Sequence, residues 1–399
     1  MPTDNLWPEP TLGAAHATIA AVNPGAYAST RNRLDGAVTG LSPYLTHGLI
    51  SLPEVHRLVG ARHRLPNEHS LVRELGWRAF FAHAWDHLGQ GIHQSQRPGP
   101  LPDAAYATTL PADIAAGCTG VPAIDCAVHT LNSHGLLHNH ARLWLASYVV
   151  HARRVHWHTG AQWMHSLLLD GDLASNHLSW QWVAGTFSSK PYLFNADNVA
   201  KYAPRPWHSH GSAIDLSYND WQQLATGARP PLPAGTQAPT PTPGPELVTQ
   251  PPPDPPWQDP SAAHVQLQQH HVQLHHPWAI GQPNPNATLH LGVAMAPWHH
   301  AHPWYVRRWH WINAALRPQV AACWWVNNVQ QLAQALAPAS QVSVVANGHA
   351  RDWIDALQHA LHTLPGSPPL QVIQPPALFA PVQPMARSFS AWWRRTRVL

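Results

Sequence analysis

Charge is scarce in this 399-residue chain: Asp, Glu, Lys and Arg make up 11% of it, against about 25% in an average soluble protein. Lysine is nearly absent, with only Lys190 and Lys201, and a net charge of +3 provides no broad basic field. Cysteine is as sparse. Cys118, Cys126 and Cys323 show no CxxC spacing, which excludes a disulfide framework and a zinc knuckle. Apolar runs stay below about 18 residues, so no membrane-spanning helix is expected. The first residues, MPTDNLWPEP, lack the basic flank and apolar run of a secretory signal, and a cytoplasmic location is the expectation. GxGxxG and P-loop patterns are missing, which removes those two phosphate-binding loops.

Histidine, tryptophan and proline are abundant instead, at 32, 21 and 42 residues. Hydrophobic residues reach 44%, enough for a sizeable core, and the length suggests two or three folded units. Residues 1–225 read as helical, and Leu71–His87 and Leu143–His151 carry the broad apolar faces of buried helices. Residues 226–286 read as a Pro/His-rich linker, with 13 prolines between Pro230 and Pro260 that no helix or sheet interior tolerates. A short duplication, HVQLQQH then HVQLHHP, follows at 264–277. From 287 to 399, short apolar runs (LHLGVAM, VAACWWV, VSVVA, LQVI) alternate with helical stretches, which predicts a small parallel-sheet α/β domain. The expected fold is therefore mainly α, with a proline-rich linker and a small α/β domain behind it.

Four segments carry the chemistry. In DGDLASNHLSWQW (170–182), Asp170 and Asp172 precede a helix whose free amides either carboxylate can cap. Asn176 and Trp180, four apart, share one face of that helix, while Trp182 points elsewhere. In ELGWRAF (74–80), Glu74, Trp77 and Arg78 share a face, and a local Glu–Arg pair there is worth a few tenths of a kcal/mol. LNSHGLLHNHARLWLAS (131–147) holds Asn139 and Arg142 three apart. YASTR (27–31) and TGLSPYLTHGLIS (39–51) set a Thr and a Ser before a Pro-initiated helix with amides free for an anion.

In this order and spacing, the four segments resemble the FAD-binding helical domain of the photolyase/cryptochrome family, over roughly residues 15–200. The resemblance implies FAD as cofactor and damaged DNA, a pyrimidine dimer, as partner. It places Tyr27 near the flavin phosphates and Arg31 near DNA. Thr39, Leu41 and Ser42 fall on the pyrophosphate loop, Arg78 and Asn139 on the flavin lining, and Arg142 on the partner of Asp170. Asp172 falls on the carboxylate beside the ribose and adenine, and Asn176 on the amide facing flavin N5. Glu74 matches the acid that bonds the lesion, and Trp77 and Trp182 match the walls that replace a flipped base's stacking. Trp180 and Trp157 match the first two steps of the tryptophan chain that reduces the photoexcited flavin.

The departures are equally specific. The terminal tryptophan of that chain aligns near Ala104, leaving Tyr106, Trp144 or another tryptophan to substitute. His140 stands where repair enzymes carry a DNA-contacting arginine, and Gly40 replaces another basic residue. The family's α/β domain comes first, whereas here the helical part begins near Met1 and the α/β pattern comes last, as a transposed or degenerate version. The antenna chromophore is unassigned. Light-driven dimer splitting by excited reduced FAD is the leading expectation, and a cryptochrome-like photoreceptor with the same photoreduction is the alternative. A metal-binding role prompted by His299, His300, His302 and the 264–276 histidines shows no closed ligand set, and no metal ligands are assigned.

Overall fold

The structure, a computed structural model, describes residues 7–235, 244–254, 256–262, 265–281 and 283–399. Its first half is a stack of helices: α1 (Leu12–Ala21), α2 (Pro24–Thr30), α3 (Ser42–Thr46), α4 (Leu52–Gly60), α5 (Ser70–Leu88), α6 (Ala112–Ala116), α7 (Pro122–His134), α8 (Asn139–Ser147), α9 (Trp157–Leu167), α10 (Leu173–Ala184), α11 (Ala196–Tyr202) and α12 (Tyr218–Thr226). Local chemistry sets their ends. Asn23, Ser51, Asp172, Asn195 and Ser217 each cap a helix through a side-chain oxygen, and Gly117, Gly135, Gly185 and Gly227 end α6, α7, α10 and α12 in the left-handed conformation. The predicted 143–151 helix is α8 followed by a wider π-type turn, Tyr148–Ala152.

The second half contains β1 (Leu247–Val248), β2 (Trp257–Gln258), β3 (His271–His275), β4 (Leu289–Met295), β5 (Trp304–Tyr305), β6 (Ala322–Val326), β7 (Gln341–Val345) and β8 (Leu370–Ile373). Between and after them lie α13 (Ala296–Ala301), α14 (Val306–Leu316), α15 (Val329–Leu336), α16 (Arg351–Thr363) and α17 (Phe389–Trp393). Six strands form one sheet in the order β2-β6-β4-β3-β7-β8, every pair parallel. The four apolar runs expected to be strands are β4, β6, β7 and β8. The fold is thus mainly α with a parallel α/β part, as the sequence predicts.

The 226–286 linker needs correction. The second copy of the duplication, His271–His275, is β3, at the centre of the sheet and buried at all five positions. Its period hid it. Val272 and Leu274 fill one face, while His271 Nε2 meets Ser343 Oγ at 3.0 Å and His275 Nε2 meets His290 Nδ1 at 3.0 Å on the other. Polar residues in a doubly covered strand are tolerated only when bonded in this way. Upstream, Leu232 N and Gly235 N donate at 2.8 Å to Ala152 O and Asp113 Oδ2, so that stretch lies along the helices. Residues 236–243, part of the proline-rich run, are outside the described residues.

The two halves also share a core. One apolar cluster takes Ile19, Leu41, Phe80 and Leu173 from the helices and Trp278, Trp304, Trp309 and Phe389 from the rest. Burying such aromatic area across the junction fixes the halves against each other.

Candidate functional site

Helices α5, α8, α9 and α10 converge on a cleft enclosing about 760 Å³ of empty space, solvent at its mouth included. Glu74, Trp77 and Arg78 line it from α5, Asn139 and Arg142 from α8, and Asn176 and Trp180 from α10, with Asp170 and Asp172 just before α10. The i, i+3, i+4 grouping on α5 and the i, i+4 pair on α10 therefore do face one space.

Its polar wall is tightly built. Arg142 Nη2 donates to both oxygens of Asp170, at 2.9 and 2.8 Å, and its Nε donates to Leu137 O at 2.8 Å. Burial works to raise the Asp170 pKa, but Arg142, the Ser42 hydroxyl and Arg78 together hold it below the ordinary carboxylate value. Asp172 caps α10 by accepting from Ser175 N at 2.8 Å and lies 4.0 Å from Arg78. Burial opposes its ionisation too, and the Arg78 charge, with the hydrogen bonds from Ser175, outweighs that. Arg78 Nη2 also donates to Thr46 Oγ1 at 3.0 Å.

Residues that local motifs did not reveal hold the 169–173 loop from outside. Thr46 Oγ1 donates to Asp170 O at 3.2 Å, and His47 Nε2 meets Leu169 O at 2.9 Å. From the α/β half, Arg308 Nη2 donates to Gly171 O and His349 Nε2 accepts from Leu173 N, at 2.8 and 3.1 Å. Arg308 is fully buried, its guanidinium 3.9 Å from the Trp304 ring centroid, and desolvation pushes its pKa down to about 9 despite Asp170 and Asp172. Gly171 is required here, because a Cβ would stand 2.9 Å from the His165 backbone carbonyl as well as 2.7 Å from Arg308 Nη1.

At the apolar end, Asn176 Nδ2 donates to Ala161 O at 2.8 Å, which leaves its Oδ1 for a ligand. Trp180 lies against α9, and a Cβ on Gly160 would sit 2.3 Å from its ring. Trp157, one turn before Gly160, is buried and donates from Nε1 to Ser95 Oγ at 2.9 Å. Beyond Trp157, His156 lies 5.7 Å away and Tyr106 a further 6.2 Å, centroid to centroid. Trp144 is elsewhere, between His140 and Phe194.

The remaining sequence-derived residues divide. Arg31 Nε pairs with Glu74 at 3.5 Å, replacing the local Glu74–Arg78 pair, and Tyr27 is near enough for Glu74 to reinforce the rise that burial imposes on its phenol pKa. Burial likewise raises the Glu74 pKa against the pull of Arg31. Ser42 contacts Asp170, whereas Thr39 and Leu41 do not line the cleft: Leu41 is buried, and its N–H donates to Thr39 Oγ1 at 3.4 Å. Three of the DNA-facing assignments are engaged within the protein. Trp77 stacks on Phe389 of α17, centroids 4.1 Å apart and planes at 9°. Trp182 is outside the cleft, against Tyr192. His140 stacks on Trp144 and Tyr202 and bonds Asn32 O, and burial lowers its pKa, so it offers no ready cation to a phosphate.

The cleft thus offers two guanidinium groups, two ionised carboxylates, an amide oxygen and a tryptophan, a set of groups able to hold a phosphorylated aromatic ligand. Residues 71–215 match the family model described as the FAD binding domain of DNA photolyase. Over that region the chain is similar to DNA photolyases and cryptochromes. It is 35% identical over 191 residues to a deoxyribodipyrimidine photo-lyase of Streptomyces griseus, covering 45% of this chain and 42% of that protein. It is 34% identical over 169 residues to a cryptochrome DASH of Natronomonas pharaonis, covering 40% and 35%. A bacterial class III photolyase from Agrobacterium tumefaciens superposes with a TM-score of 0.45 and 23% identity, over 57% of this chain and 58% of that one. The chain spans less than half the length of these curated relatives. No helix among the described residues is long and apolar enough to cross a membrane.

Proposed function

We propose that the cleft holds FAD and that the chain acts as a blue-light-driven DNA photolyase, splitting pyrimidine dimers by electron transfer. The observation that carries this reading is the single space shared by Glu74, Asn176 and Trp180, lesion acid, amide and electron donor of the resembled family. Relatives named deoxyribodipyrimidine photo-lyase support it. Bound and reduced, the flavin supplies one electron on excitation. Arg78, Arg142, Asp170 and Asp172 would orient the cofactor, and the Asn176 Oδ1 would accept a proton donor at its edge. Glu74, its pKa raised by burial, would give a hydrogen bond to the lesion when protonated. Trp180 and then Trp157, both buried, would refill an oxidised cofactor.

A second reading, a photoreceptor with the same photoreduction, is favoured by one observation: Phe389 already occupies the face of Trp77 that a flipped base would use. Repair of a single-dimer oligonucleotide by the reduced, illuminated protein decides between them. Splitting above the dark control supports repair; retained photoreduction with neither binding nor splitting selects the photoreceptor. A purified protein without flavin absorption overturns both.

A further inference from the structure

Three histidines from separate elements meet beside the electron path. His93 ends the 3-10 turn Gly89–His93, His158 is in the first turn of α9, and His177 is in α10. One ring nitrogen of each lies within 4.8 Å of the other two, and His93 Nδ1 to His158 Nε2 is 3.3 Å. Their ring centroids form a nearly equilateral triangle with sides of 5.5, 5.3 and 5.7 Å. A tetrahedral Zn²⁺ with Zn–N of about 2.0–2.1 Å sets its imidazole nitrogens roughly 3.3 Å apart and their centroids roughly 5.2 Å apart. The His93–His158 nitrogen distance matches that spacing, and all three centroid distances are within about half an ångström of it.

The third ring gives an independent sign. His177 is 1% exposed, and its Nε2 has no hydrogen-bond partner. A buried nitrogen lone pair left unused is costly, and native interiors seldom contain one. His177 Nδ1 lies 3.4 Å from Asn176 Nδ2, and the Leu173 backbone, one turn back in α10, also engages the ring, so Nε2 is the atom left to bind. A ligating histidine is held in this way, its second nitrogen bonded to a backbone carbonyl. Three imidazoles with neither carboxylate nor thiolate suit zinc and its late first-row neighbours rather than magnesium or calcium.

We propose that His93 Nδ1, His158 Nε2 and His177 Nε2 form a binding site for one divalent transition-metal ion of the zinc class. Three protein ligands leave a fourth position for water. His93 also lines a second cavity, shared with Trp298 and His302 of the α/β half, which gives the ion its route in. The ion would tie the 3-10 turn, α9 and α10 together. It would also place positive charge beside Trp157, whose ring is 5.4 Å from His158 and 6.3 Å from His177.

The test uses the full chain, purified without a polyhistidine tag, stripped with chelator and titrated calorimetrically with ZnCl₂. X-ray absorption at the zinc edge is measured on the product. One equivalent, with three imidazoles and one light fourth ligand, is expected. His177→Ala should weaken binding more than about 100-fold, since even loss of a partner outside the ligand shell costs 10–100-fold. His93→Gln, at a half-buried turn end, should do the same while leaving the circular dichroism spectrum unchanged, and it decides the matter if His177→Ala misfolds. His300→Gln, an exposed histidine outside the cluster, should leave zinc affinity as it was. Absence of a saturable single equivalent, fewer than three imidazoles at the ion, or wild-type affinity in His93→Gln would overturn the assignment.

Discussion

Arg308, in α14 of the α/β half, donates from Nη2 to the carbonyl of Gly171 at 2.8 Å, at the centre of the DGD loop that walls the cleft. The two residues are 137 positions apart. The bond makes a buried cation of one half a support for the cleft wall of the other. Its Nε and Nη1 have no partners, so the cation is costly where it stands, which is consistent with a positioning role rather than a stabilising one.

Replacing it tests that role. Arg308→Met removes the buried charge and leaves the Gly171 carbonyl unpaired, a loss of about 1–3 kcal/mol that the removed desolvation penalty partly offsets. Flavin retention after dialysis should fall about tenfold or more, while the melting temperature of the flavin-free protein changes little. Wild-type retention would show that the loop holds itself.

Photoreduction should follow the order of the aromatic residues. Trp180→Phe should nearly abolish blue-light reduction of the bound flavin, and Trp157→Phe should slow it by breaking the second step. Tyr106 stands beyond Trp157 through His156, at the end of the chain where Ala104 replaces the expected tryptophan. Tyr106→Phe should therefore shorten the lifetime of the reduced state under steady illumination, and Trp144→Phe should not. Transient absorption reads all four variants, and the reverse ranking of Tyr106 and Trp144 sinks the assignment.

Phe389 separates the two functional readings. If a dimer must displace it from Trp77, the displaced stacking costs about 0.5–1.5 kcal/mol. Phe389→Leu should then tighten binding of dimer-containing DNA by roughly 2- to 12-fold, seen by fluorescence anisotropy. No binding by wild type or variant points to the photoreceptor.

Acid should unfold the protein early. Burial pushes the pKa of His47 and His349 down to about 3, and of His151 and His276 down to about 4. These rings stay neutral in the folded state but protonate near 6.5 in the unfolded chain, so unfolding takes up protons between those values. Stability is therefore complete above about pH 6.5 and falls below it, by about 1.4 kcal/mol per histidine per pH unit. Melting temperatures should be level from pH 7 to 8 and drop steeply from 6.5 to 5. A level profile down to pH 5 would contradict the burial of these rings.

The sequence alone determined whatever depends on neighbours a few positions apart. Helical spacing put Glu74, Trp77 and Arg78 on one face and Asn176 with Trp180 on another, and Asp172 is the helix cap that its position suggested. The alternating runs after 287 were legible because parallel strands are short and apolar. Tertiary structure alone decided what depends on distant segments meeting. The polar face of β3 passed for linker because its hydrogen-bond partners are up to 72 residues away. Arg308 and His349 reach the DGD loop, and His93, His158 and His177 reach one another, across separations that carry no local period. Phe389 reached Trp77 for the same reason: a stacked pair is set by where two surfaces dock, and no spacing within either segment encodes it.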